Sequence, residues 1–166
     1  MKPIYLLIGC LCLCAFVILP AQAFTIKTLT INLGQSGDAQ VDLQYQLSLP
    51  EQIGVFLHLA DPSAELQSAL DQNLNKQVTV ERADISSADI IVPSFATVSG
   101  SPGALIMATP AFSLAQAQAV VEKYWFAPLI SPDFTPQVTT ITFPDGYTDT
   151  LYNQISIPAV IHVLSS

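Results

Sequence analysis

Cysteine is confined to the first fourteen residues of this 166-residue chain. Cys10, Cys12 and Cys14 share one apolar run, and nothing after them can form a disulfide or supply a thiol. Charge is scarce too. Asp, Glu, Lys and Arg make up 11% of the sequence, against about 25% in an ordinary globular domain. Glutamine, serine and threonine fill the polar positions instead. The net charge is −8, and beyond the apolar run the only basic residues are Lys27, Lys76, Arg82 and Lys123. Nucleic acid and anionic lipid both demand clustered cations, so neither is expected as a direct partner. With few ion pairs and no disulfide, stability must come from packing and backbone hydrogen bonding.

The apolar run has the three parts of an export signal: a basic start at Lys2, an apolar stretch from Ile4 to Leu19, and a small-x-small site at Ala21-Gln22-Ala23. Cleavage after Ala23 is the favoured reading, which makes 1–23 a signal peptide and 24–166 a single domain. Two alternatives stay open. The run could be retained as an anchor, although it is shorter than the roughly 17–25 residues of a spanning helix and ends at Pro20. Leu7-Ile8-Gly9-Cys10 also has the form of a lipoprotein cleavage box. Contact with a membrane is expected only through residues 4–19, if they are uncleaved.

Further along, Val41, Leu43, Tyr45, Leu47 and Leu49 alternate with polar residues, the pattern of a strand with one dry and one wet face. The β-branched stretch Thr25–Leu33 precedes it across Gly34-Gln35-Ser36-Gly37-Asp38, a hairpin turn. Lys27-Thr28 breaks the alternation and predicts a bulge. Ile53, Phe56, Leu57 and Ala60 fit one face of a short helix, and Asp61-Pro62 opens a second helix carrying Leu66, Ala69, Leu70 and Leu74. Strands are predicted over 78–83, 90–98 and 104–109, and a third helix from the capping box Ser113-Leu114-Ala115-Gln116. Strands over 138–143 and 155–163 close the chain, the last interrupted by Pro158. The order β-β-α-α-β-β-β-α-β-β implies an α+β fold with a largely antiparallel sheet and about three helices. Val41, Leu43, Tyr45 and Leu47 are expected in its core with the Leu66, Leu70 and Val121 helix faces.

Little in this sequence carries chemistry. His58 and His162 are the only histidines, and neither has a ligand at i+3 or i+4 to form a metal pair. No serine lies in a nucleophile elbow, and no glycine loop has a phosphate-binding spacing. Asp38 with Asp42, Asp84 with Asp89, and Asp145 with Asp149 could pair, but none matches a calcium loop. Asp38 and Asp145 suit turn positions, and Asp42 and Asp149 are expected to point outward from strands. No catalytic residue, metal ligand or cofactor site is assigned. The remaining feature is Tyr124-Trp125-Phe126 at a predicted helix end. Neighbouring helix residues diverge by about 100°, so one of these rings could face outward and bind a sugar or a partner.

Gly37-Asp38-Ala39, the run Ala111-Phe112-Ser113-Leu114-Ala115-Gln116-Ala117, and Ser131-Pro132-Asp133-Phe134 leading to Thr142-Phe143-Pro144-Asp145-Gly146-Tyr147 resemble a group of uncharacterised exported proteins of methanogenic archaea. The resemblance spans most of residues 24–166. It implies an archaeal cell-surface context and no catalytic residue.

The resulting expectation is an exported, acidic, non-catalytic domain, extracellular or at the outer face of the cell membrane. It would bind or assemble with a protein or another cell-surface component. A small hydrolase with a site assembled in three dimensions from carboxylates and His58 or His162 is one alternative. A carbohydrate-binding domain using Trp125 is the other.

Overall fold

Alternation settles the first hairpin. In the computed structural model, which describes residues 24–47, 62–73, 77–101, 104–121 and 133–165, β1 (Thr25–Leu33) pairs antiparallel with β2 (Ala39–Gln46). The register shifts between Ile26 and Thr28, the bulge expected at Lys27. Gly37 makes the turn possible at φ 86°, and a Cβ there would lie 2.3 Å from the Ala96 carbonyl oxygen. Only glycine fits both demands.

Outside the hairpin, β3 (Thr79–Ala83) and β4 (Ser87–Val92) join one flank and β8 (Val138–Thr142) and β9 (Thr148–Tyr152) the other. The sheet order is β3-β4-β2-β1-β8-β9, antiparallel except for the β1–β8 pair. Helix α1 (Pro62–Asn73) closes the β3 edge with side chains. Gln67 donates to the Val78 carbonyl at 2.8 Å and accepts the Val80 N–H at 2.7 Å, and the Ser63 hydroxyl accepts the Ala83 N–H at 2.9 Å. Edge groups that would otherwise need water are thus satisfied within the chain.

A second, three-stranded sheet has the order β11-β6-β5, built from β5 (Thr97–Ser101), β6 (Ala104–Ala108) and β11 (Ile161–Val163). Short strands β7 (Phe112–Ser113) and β10 (Ser156–Ile157) pair with each other, and helix α2 (Ala115–Val121) follows β7. Ser113 accepts the Ala115 N–H at 3.3 Å, which realises the expected cap one residue short of a capping box.

The core forms from Leu29, Ile31 and Leu33 of β1, Ile141 of β8, Phe143, Met107 of β6 and Ile157 of β10. Val41 and Leu43 pack against it only half-buried, and Tyr45 is half-buried as well. The centre is therefore β1, whose inward side chains are fully buried, rather than β2. On α1, Leu66 and Leu70 are half-buried.

Several expectations need correction. The stretch 90–98 is not one strand, because β4 stops at Val92 and the chain turns at Pro93 and Ser94, the latter at φ 49°. Pro93 lacks the N–H that a continuing ladder requires. The final stretch divides into β10 and β11 around Pro158. Strand β9 went unforeseen. Asp149 stands opposite buried Ile141, on the inner side of the sheet, so it does not point outward. Among the described residues the fold is strand-rich and largely antiparallel, with two short helices rather than three; the helix expected over 53–60 lies outside those residues, as does Asp61.

Candidate functional site

Of the residues singled out for binding, Tyr124, Trp125 and Phe126 lie outside the described residues, as does His58. His162 does not. It sits in the middle of β11 opposite Met107, with its side chain turned inward while Ile161 and Val163 face outward. Its Nε2 lies 2.8 Å from Oδ2 of Asp145, in the turn between β8 and β9. The imidazole stacks on Tyr147 with centroids 4.1 Å apart and planes 11° apart, and meets Phe143 edge-on at 5.0 Å.

Asp145 is saturated with donors. Oδ2 also accepts the Ser165 N–H at 2.9 Å and the Ser165 hydroxyl at 3.0 Å, and Oδ1 accepts the Tyr147 N–H at 3.2 Å. These bonds, led by the Ser165 backbone N–H and the His162 side chain, hold the carboxyl well below the ordinary carboxylate range. A histidine, a carboxylate and a serine do meet here, but not as a nucleophilic relay. In such a relay the serine bonds to the imidazole, whereas Ser165 and His162 both bond to the same carboxylate oxygen. Asp145 pairs with His162 and not with Asp149, as the chain spacing had suggested. The arrangement ties the last strand to the β8–β9 turn.

A second group of carboxylates occupies the outer face of the large sheet. Register places Thr150, Thr140, Thr30, Asp42, Asp89 and Arg82 side by side across six strands. Asp42 faces Asp89 directly and not Asp38. Partial burial first, then the hydrogen bond and charge of Asp89, raise the Asp42 pKa above its ordinary value. Arg82 Nε lies 3.2 Å from Asp89 and 3.9 Å from Asp84, so one guanidinium serves both acids of the second proposed pair. Asp84 itself is a turn residue. Its Oδ1 accepts the N–H groups of Ser86 and Ser87, and its pKa falls to about 2, chiefly through the Ser86 N–H. Tyr45 donates its hydroxyl to the Asp84 carbonyl, and burial pushes its pKa up to about 12. Asp38 accepts from the Ser94 N–H at 2.7 Å and from the Ser36 hydroxyl at 2.7 Å, which lowers its pKa. Asp38 and Asp84 are engaged in turns and Asp89 in an ion pair, while Asp42 stands against Asp89. Among the described residues no group of three or more His, Cys, Asp or Glu could hold a metal ion.

An open groove of about 550 Å³ lies elsewhere, lined by Phe112 and Ser113 on one side and Gln154, Ser156, Ile157 and Pro158 on the other. Neither the histidine nor the carboxylates line it.

What sequence reasoning missed is an exposed apolar surface. Ile161 is 72% exposed and Val163 58%, with Ile106 of neighbouring β6 at 38%. The register sets Ile161 against Ala108 and Val163 against Ile106 on the outer face of the three-stranded sheet. The signal was in the alternation Ile161-His162-Val163, which must put the histidine and the two aliphatics on opposite faces. No helix among the described residues is long and apolar enough to cross a membrane. No protein-family model, curated protein or solved structure matches this chain.

Proposed function

We propose that this is an exported, non-catalytic domain that works by assembling with a protein component at the cell surface. The observation that carries the reading is the β11 surface, where β-branched residues stand exposed on a strand with no charged residue of its own. Apolar side chains grouped in this way mark interaction surfaces, and an edge strand without charge, proline or bulge is open to pairing with another chain. The export signal and the resemblance to exported archaeal proteins support the location, extracellular or at the outer membrane face. If residues 4–19 stay uncleaved, they supply a tether. The apolar face Ile53, Phe56, Leu57 and Ala60 supports a third helix, and with it an α+β fold.

The His162–Asp145 pair favours one competing reading, a small hydrolase. Against it stand the saturation of Asp145 and the separation of the pair from the groove. Replacing Ile161 by a photo-cross-linking residue in cells that export the chain tests the assembly reading. Covalent adducts are expected from position 161 and not from position 150 on β9. Equal or absent labelling at the two positions would sink the reading.

A further inference from the structure

Among the described residues β11 has a strand partner only on its β6 side, and its other edge has a definite polarity. Toward β6, the Leu164 N–H donates to the Leu105 carbonyl at 2.8 Å and the Val160 carbonyl accepts from the Thr109 N–H at 2.9 Å. In an antiparallel ladder hydrogen-bonding residues alternate, so the even-numbered positions 160, 162 and 164 face β6. The backbone groups of Ile161 and Val163 face away from it. Ser165 shares that outward direction, and its N–H is already held by Asp145. At the other end Pro158 has no N–H to offer. The available edge is thus short, bounded, and centred on His162.

The other sheet margins differ. Side chains of α1 bond the β3 backbone, and β3 itself carries Glu81, Arg82 and a register shift. Strand β9 carries Asp149, and β5 is built largely of Ser, Thr and Gly. Of these margins, β11 alone combines outward backbone groups with large exposed aliphatics.

We propose that β11 pairs with β11 of a second copy of this chain, antiparallel about a twofold axis at His162. This rests on reading the β11 edge as an assembly surface. The strand is self-complementary in that register. Ile161 of each copy stands opposite Val163 of the other, in the position where two residues exchange both backbone hydrogen bonds. Aliphatic faces aliphatic at both positions, and such β-branched cross-strand pairs stabilise a sheet. A twofold contact needs a patch that is its own complement, and Ile-His-Val satisfies this with the histidine turned inward. The product is one continuous sheet of order β5-β6-β11-β11-β6-β5, whose outer face joins Ile161, Val163 and Ile106 of both copies. The paired strand is only three residues long on each side, against about 20–30 residues a side in a standard stable interface, so the dimer is weak and concentration-dependent.

Sedimentation of the purified exported chain over a wide concentration range tests the pairing. The wild type should pass from monomer to dimer, and Val163→Lys should stay monomeric with unchanged melting temperature. Thr150→Lys on β9, which adds the same charge at another margin, should dimerise as the wild type does. A mixture of Ile161→Cys and Val163→Cys chains should form a disulfide-linked heterodimer on mild oxidation, since directly paired strand residues lie within disulfide reach. A wild type monomeric up to its solubility limit overturns the proposal, as does undiminished dimerisation of Val163→Lys. A monomeric chain whose position 161 still cross-links to a different protein in cells would overturn self-pairing and leave the assembly reading intact.

Discussion

Two aspartate sites in this molecule respond to their surroundings in opposite senses. At the β8–β9 turn, Asp145 is nearly covered, with a side chain 8% exposed, and is surrounded by donors from Tyr147, His162 and Ser165. Its ionised form is the one the fold favours. On the outer sheet face, Asp42 is partly buried against Asp89, and the fold favours its protonated form despite Arg82 nearby. Burial alone raises a carboxyl pKa, so the donors decide the outcome at Asp145. The comparison separates a carboxylate that holds two elements together from one that the sheet register has forced against its like.

Removing the platform under the first site should have the largest effect. Phe143 is 2% exposed and supports His162 edge-on, so Phe143→Ala is expected to cost about 3–5 kcal/mol in denaturant unfolding. A loss below about 1 kcal/mol would show that the turn is not anchored through this ring.

Acid titration sharpens the contrast. Asp145 has a folded pKa below the ordinary carboxyl value of 3.8. Its contribution is therefore full above that unfolded value and is lost as pH falls through the lower folded value. Asp145→Asn should lower the melting temperature at neutral pH, and the gap from wild type should close only in strong acid. A gap that is constant with pH would break the assignment. Asp42 carries the opposite sign. Its folded pKa is raised, so its favourable contribution is full below 3.8 and is lost as pH rises through the folded value. Asp42→Asn should then stabilise the protein at pH 7, by only a few tenths of a kcal/mol because solvent screens this face. Destabilisation instead would mean that Asp42 is held chiefly by Arg82.

How much of this could be read in advance varies by region. The β1–β2 hairpin was legible down to its bulge, because alternation, β-branching and a glycine turn all agree there. Strand β9 was not, since Thr148-Asp149-Thr150-Leu151-Tyr152 places an aspartate on the inner side and hides the apolar period. The break at Pro93 had a local signal, a proline inside an apolar run, but its partner is distant: the Ser94 N–H is taken by Asp38 in the first hairpin turn. The His162–Asp145 contact links a strand and a turn that no short-range pattern connects. The core centres on β1 rather than β2, where Leu29, Ile31 and Leu33 meet Ile141 of the returning β8, and only tertiary pairing reveals that.

That return has a kinetic meaning. The hairpin of β1 and β2 can close as soon as residue 46 is available, yet the second margin of β1 finds its partner only when Val138–Thr142 arrives. Loop closure over such a separation is slow, and parallel pairing of distant strands slows folding further. Until then Leu29 and Ile31 lack Ile141 beside them, and the core around β1 stays incomplete. A chain in that condition can still be threaded extended through a narrow opening, and it remains open to aggregation for the same interval.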